Sequence, residues 1–148
     1  MKRLAPILFL SIIVASSGCG KESLPTKPQL IVDRDSLGFG QEFGSGVFIG
    51  TMKTDSIQIQ NGGLEDQKIE SAAYTGDQAF VAEGPLKTTL KGKETTFIRI
   101  LFTPTAEKVY NGSLLIVSNA DTNATTKSTP MKTIGISGRG FKAEDAGP

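Results

Sequence analysis

An apolar side chain at every second position, in one segment after another, restricts the possible folds of this chain more than any other feature of its sequence. Ser56-Ile57-Gln58-Ile59-Gln60 alternates strictly and places Ile57 and Ile59 on one face. Residues 96–102 group Ile98, Ile100 and Phe102, residues 113–117 group Leu114 and Ile116, and residues 133–137 group Ile134 and Ile136. Successive side chains of a strand point to opposite faces, so this period reads as half-buried β-strands. Residues 29–33 and 68–74 are fainter strands of the same kind. Between the segments stand turn residues: Asn61-Gly62-Gly63, Gly76-Asp77, Gly84-Pro85, Lys91-Gly92-Lys93 and Asn111-Gly112. From Gln29 onward no helical period is sustained. One sheet alone would leave its apolar face in water, so two sheets must stack. The expectation is an all-β chain, an antiparallel β-sandwich of about seven to nine strands over residues 29–140.

Composition narrows the chemistry. A length of 148 residues suits one such domain. There is no histidine, which excludes a Ser-His-Asp triad and any His-ligated metal. There is one cysteine, so neither an intrachain disulfide nor a thiolate cage can form. The formal charge of +1 becomes −1 once Lys2 and Arg3 are set aside, which gives no electrostatic footprint for nucleic acid. The sequence therefore calls for no metal and no cofactor.

The first 19 residues, MKRLAPILFLSIIVASSGC, follow a different logic. Lys2 and Arg3 form a positive start, and residues 4–14 form an apolar stretch too short to span a bilayer as a helix. Ala15-Ser16-Ser17-Gly18 then leads into Cys19, the sole thiol. This resembles a bacterial lipobox, with Ser16 standing where that motif usually has Leu. The resemblance implies a signal peptide over residues 1–18 and a Cys19 that takes lipid on its sulfur and anchors the chain to a membrane. Gly20 rather than Asp after the cysteine implies the outer membrane of a bacterial cell envelope. Residues 19–28 are polar, with Pro25 and Pro28, and read as a flexible tether. Residues 141–148 read as a disordered tail.

Five segments together carry a second resemblance. Leu37-Gly38-Phe39-Gly40 opens the domain, and residues 55–62 form a strand ending in Asn-Gly. Ile98-Arg99-Ile100-Leu101-Phe102-Thr103-Pro104 closes in Phe-x-Pro, and residues 112–121 read Gly-x-Leu-x-Ile-x-Ser-Asn-x-Asp. Ile134-Gly135-Ile136-Ser137-Gly138-Arg139-Gly140 ends the series. In this order they resemble the immunoglobulin-like domain of the ASPM/SPD-2/Hydin group, also met in bacterial choice-of-anchor D proteins. The resemblance implies an immunoglobulin-like sandwich, a protein-binding or scaffolding role and no catalytic residues.

The search for chemistry returns little. Gly44-Ser45-Gly46 is not a nucleophile elbow, and no phosphate-binding loop is present. Asp55, Asp66, Asp77 and Glu94 fall near turns and strand ends. Asn119-Ala120-Asp121-Thr122-Asn123 has oxygens at alternate positions, as in a calcium loop, but Ala124 and Pro130 stand where an EF-hand needs Gly and Glu. It reads as a polar loop, with a weak calcium site as the alternative. Phe39, Phe80 and Phe102 are assigned to the core. Phe97, Arg99 and Leu101 share the opposite face of their strand and form the candidate interaction face. Phe43 and Phe48, in a glycine-rich stretch, are further exposed candidates. The functional expectation is a non-enzymatic lipoprotein that holds an unidentified envelope protein, by strand addition at an open sheet edge. The alternatives are a carbohydrate- or cell-wall-binding module, for which the lack of Trp is unfavourable, and a periplasmic sandwich-fold enzyme.

Overall fold

The computed structural model describes residues 24–40 and 46–142. Residues 1–18, Cys19, Phe43 and the last six residues of the expected tail lie outside the described residues. Ten strands follow in order: β1 (Leu30–Val32), β2 (Ser36–Phe39), β3 (Val47–Phe48), β4 (Lys53–Asn61), β5 (Gln67–Gly76), β6 (Phe80–Glu83), β7 (Thr88–Leu90), β8 (Thr95–Phe102), β9 (Val109–Ser118) and β10 (Met131–Phe141). They form two sheets, β1-β4-β8-β6 and β2-β10-β9-β5-β7, with β3 beside the end of β10. The inner faces meet as the alternation requires. Ile57, Ile59, Ile98, Ile100 and Phe102 from the first sheet pack against Leu114, Ile116, Ile134 and Ile136 from the second, all essentially inaccessible. Phe39 and Phe80 fill the same core.

Every segment identified by its alternation is a strand, and the four that were not assigned, β2, β3, β6 and β7, have only two to four residues each. The second sheet is not wholly antiparallel. β1 pairs antiparallel with β4, and after a three-residue step the chain enters the other sheet as β2, still running the same way. It therefore meets β10 in parallel, with Ile136 opposite Leu37 and Gly138 opposite Phe39. β3 continues that parallel pairing at Gly140 and Phe141.

The Asn111-Gly112 turn is also corrected, because both residues lie inside β9, where Gly112 pairs with Ile136 and Gly76. That glycine serves side-chain packing: a Cβ there would sit 2.2 Å from the Tyr74 hydroxyl oxygen. Phe141, assigned to the tail, is the last residue of β10 and packs its ring 4.5 Å from that of Phe48.

The sandwich has two ends. At the near end the incoming chain lies across the domain: the Leu64 amide donates to the carbonyls of Pro25 and Thr26, the Glu65 amide to Thr26 and the Asp121 amide to Pro28. Pro28 and Gln29 are buried. At the far end Tyr110, at the start of β9, turns its hydroxyl back on the preceding loop. It accepts from the Thr105 and Ala106 amides at 3.0 and 2.7 Å and donates to the Ala106 carbonyl. Burial pushes this phenol up, but the donors of Thr105 and Ala106 outweigh it and the net shift is downward. Such a tyrosine corner is a recurring lock of immunoglobulin-type sandwiches.

One core position is unfavourable. Gln67, at the start of β5, is wholly buried, and its side-chain oxygen and nitrogen both lack partners among the described residues. An unpaired buried amide costs about 1–3 kcal/mol. Gln67→Met keeps the length of the side chain and removes both polar atoms, so a urea melt should show the variant more stable by about 1 kcal/mol or more. A loss of stability would mean that the amide has a partner in solution.

Candidate functional site

The outer face of the first sheet carries the residues singled out from the sequence. Phe97, Arg99 and Leu101 project together from β8, with Phe97 52% exposed, Arg99 exposed and Leu101 half-buried. The register sets Phe97 opposite Gln58, Arg99 opposite Ser56, and Leu101 opposite Thr54 on β4. On β6, Val81 stands opposite Leu101 and Glu83 opposite Arg99. Arg99 reaches Glu83 at 3.5 Å, so an ion pair crosses the face between two apolar spots, Phe97 on one side and Val81 with Leu101 on the other. Beyond β4, Arg34 bridges Asp33 at 2.9 Å and Asp55 at 3.2 Å. The hydrogen bond to Asp33 leads in holding the guanidinium above its already high range, with Asp55 adding to it against the opposing effect of burial. This face is mixed, charged and half apolar.

The second sheet presents a different outer surface. Ser71, Ala73 and Thr75 of β5, Ser113, Leu115 and Val117 of β9, and Thr133, Gly135 and Ser137 of β10 form one band without a charged side chain. The band runs into the β2 edge. Because Gly135 donates to the Asp35 carbonyl, the parallel ladder alternates so that Leu37 faces β10 while the backbone groups of Ser36 and Gly38 point away from the sheet. Ser36 and Gly38 are exposed, and glycine puts no side chain beside that edge. Residues 131–134 of β10 extend beyond β2 and also lack a neighbour there among the described residues. That stretch is guarded by Lys132, which shares the strand phase of the core residue Ile134 and forms an ion pair with Asp35. Charges turned toward the core at an edge discourage pairing. Among the described residues the β2 edge has no such guard. It was missed because sheet order is not a local property; its only signal is the small–large alternation of Leu37-Gly38-Phe39-Gly40.

The isolated carboxylates do not converge. Asp55 is engaged by Arg34, Asp66 by Lys91 at 2.6 Å, and Glu94 by the Lys91 amide at 2.7 Å. Asp77 accepts from the Asn111 amide at 2.8 Å, then from Lys108 at 3.1 Å, and in that order these hold its carboxyl below the usual range. Whatever Asp77 adds to stability is therefore present above about pH 4 and lost as the pH falls through its lowered value. In the polar loop, Asn119 Oδ1 accepts from the Lys68 amide, Asn123 Oδ1 from the Thr125 and Thr126 amides, and Asp121 faces Lys27 at 3.6 Å. These oxygens close the loop on its neighbours, as a structural polar loop does. Phe48 is partly exposed at the far end, against Phe141.

No protein-family model matches the chain, and no curated protein matches it. Solved structures do. The ASH/PapD-like domain 7 of human CEP192 is similar with a TM-score of 0.60 at 15% identity, covering 93% of this chain and 99% of that one. A protein of unknown function from Porphyromonas gingivalis W83 is similar with a TM-score of 0.59 at 17% identity, covering 82% of this chain and 51% of that one. The E. coli chaperone DraB is similar with a TM-score of 0.53 at 10% identity, covering 82% of this chain and 58% of that one. At these identities the likeness is one of fold: the chain is an immunoglobulin-like β-sandwich, similar in fold to the ASH/PapD-like domain of human CEP192.

Proposed function

We propose that this chain is a lipid-anchored, non-enzymatic protein-binding module of a bacterial cell envelope, held through Cys19 in the outer membrane. Removal of residues 1–18 leaves Cys19 as the N-terminus, and the sandwich presents its β2 edge to an extended segment of an envelope protein. The observation that carries the reading is that edge: outward backbone groups at Ser36 and Gly38, no covering side chain at Gly38, and beside it an uncharged band that ends at Arg139. An added strand gains main-chain hydrogen bonds there and tests its alternate side chains against the band. Fold likeness to ASH and chaperone domains supports protein binding, and the dispersed carboxylates support a non-catalytic role.

Two measurements test it. Intact mass of the membrane-extracted protein should show the loss of residues 1–18 with lipid added at Cys19, and Cys19→Ala should abolish both. For binding, Gly38→Pro removes an amide hydrogen that points away from β10 and so leaves the internal ladder intact. Proteins captured from membranes by the wild type should be lost with Gly38→Pro and kept with Phe97→Ser. The reverse pattern would move the binding site to the Phe97, Arg99, Leu101 face, whose exposed Phe97 and Val81 make it the second reading.

A further inference from the structure

The way the chain arrives at the sandwich has a consequence for its orientation, and this consequence rests on the anchoring at Cys19 proposed above. Leu24 is 58% exposed and Leu64 52% exposed. They share the near end, where the Leu64 amide bonds to the carbonyl of Pro25, the residue after Leu24. The Lys91-Gly92-Lys93 turn closes on the same place: a Cβ on Gly92 would sit 2.4 Å from the Leu64 carbonyl oxygen. Leu24, Pro25, Ile31 and Lys93 also line a cleft of about 650 Å³ at this end. From Cys19 to Leu24 the chain spans at most about 18 Å even when fully extended. We infer that the near end, with Leu24 and Leu64 as its contact residues, seats on the lipid surface and stands the sandwich upright on the membrane.

Three considerations favour this face. A short covalent link raises the effective concentration of the patch at the bilayer, so a small apolar contact is enough to set orientation. Of the nearby lysines, Lys27 faces Asp121 and Lys91 faces Asp66, while Lys93 donates to the Gly62 carbonyl, so the apolar pair Leu24 and Leu64 leads the contact and lipid charge is secondary. The competing apolar side, Phe97 with Val81 and Leu101, has the Arg99–Glu83 ion pair across its middle. Pressing that side into the interface would desolvate both charges. Strands run along the long axis, so the ten residues of β9 set the far end about 34 Å from the near one.

The test uses the full acylated protein in phosphatidylcholine vesicles, with and without phosphatidylglycerol. Acylation leaves no free thiol in the native chain, so Leu64→Cys, Val81→Cys and Met52→Cys can each be labelled singly with an environment-sensitive fluorophore. Met52 is exposed at the far end, beside the start of β4. Lipids carrying a headgroup-level nitroxide should quench the label at 64 several-fold more than those at 81 and 52, to the same degree in both lipid mixtures. Strongest quenching at 81 would mean that the domain lies on its side, and equal quenching at all three would mean no fixed orientation; either overturns the inference. Flotation and intact mass on the same samples report the anchor separately. A chain that neither floats nor carries lipid defeats the anchored reading and this inference with it, whereas a floating, acylated chain with the wrong quenching order defeats this inference alone.

Discussion

Phe102→Ala is expected to destabilise the protein by about 3–5 kcal/mol. The ring is fully buried at the end of β8, stacked on Phe80 at 4.6 Å, tilted against Phe39 at 5.5 Å and edge-on to Tyr110 at 5.4 Å. It also fills the space left by a missing side chain in the other sheet, since a Cβ on Gly138 would come within 2.7 Å of its ring. The two positions are therefore coupled. Gly138→Ala alone should cost about 1–3 kcal/mol by overpacking. In the Phe102→Ala background the added methyl enters the cavity and should cost much less. Denaturant melts of the two single variants and the double variant measure the coupling. Additive losses would show that the ring and the glycine do not meet.

Asn61→Ala should cost about 3 kcal/mol or more, because it unpairs several buried groups at once. Asn61 ends β4 and is inaccessible. Its Nδ2 donates to the carbonyls of Glu65, Leu90 and Lys91, and its Oδ1 accepts from the amides of Gly63 and Gln29. One amide thus joins the incoming chain, the β4–β5 turn and the β7–β8 turn. Asn61→Asp should be worse still, since a carboxylate would face three carbonyl oxygens where the native side chain donates. A melt in which Asn61→Ala loses less than about 1 kcal/mol would show that water replaces these bonds freely.

These two positions also show what could be read from the sequence. Phe102 announces itself through alternation, which depends only on near neighbours, and the same period put Phe97, Arg99 and Leu101 together on the outer face. Asn61 reads correctly as the start of a turn, yet its weight comes from residues 29, 63, 65, 90 and 91, which the sequence does not bring together. Asn111-Gly112 misleads because Asn-Gly is strong turn chemistry, and here a tyrosine from the neighbouring strand is what requires the glycine. The parallel β2 edge could not be read because strand order depends on where the chain crosses between sheets.

The route of the incoming chain also sets how the domain bears load. β1 runs from the near end into the body of the first sheet, antiparallel to β4, with Leu30 opposite Asn61 and Val32 opposite Ile59. A pull transmitted through the residues before Leu24, with the far end held, acts along that strand. Its hydrogen bonds lie across the force and share it, instead of opening one after another as they would in a peel. Ser128 adds a cross-tie by accepting from the Leu30 amide at 2.9 Å. Such a joint resists tension best in the direction from which the chain arrives, and it is weakest against a sideways tug that lifts β1 off the edge of its sheet.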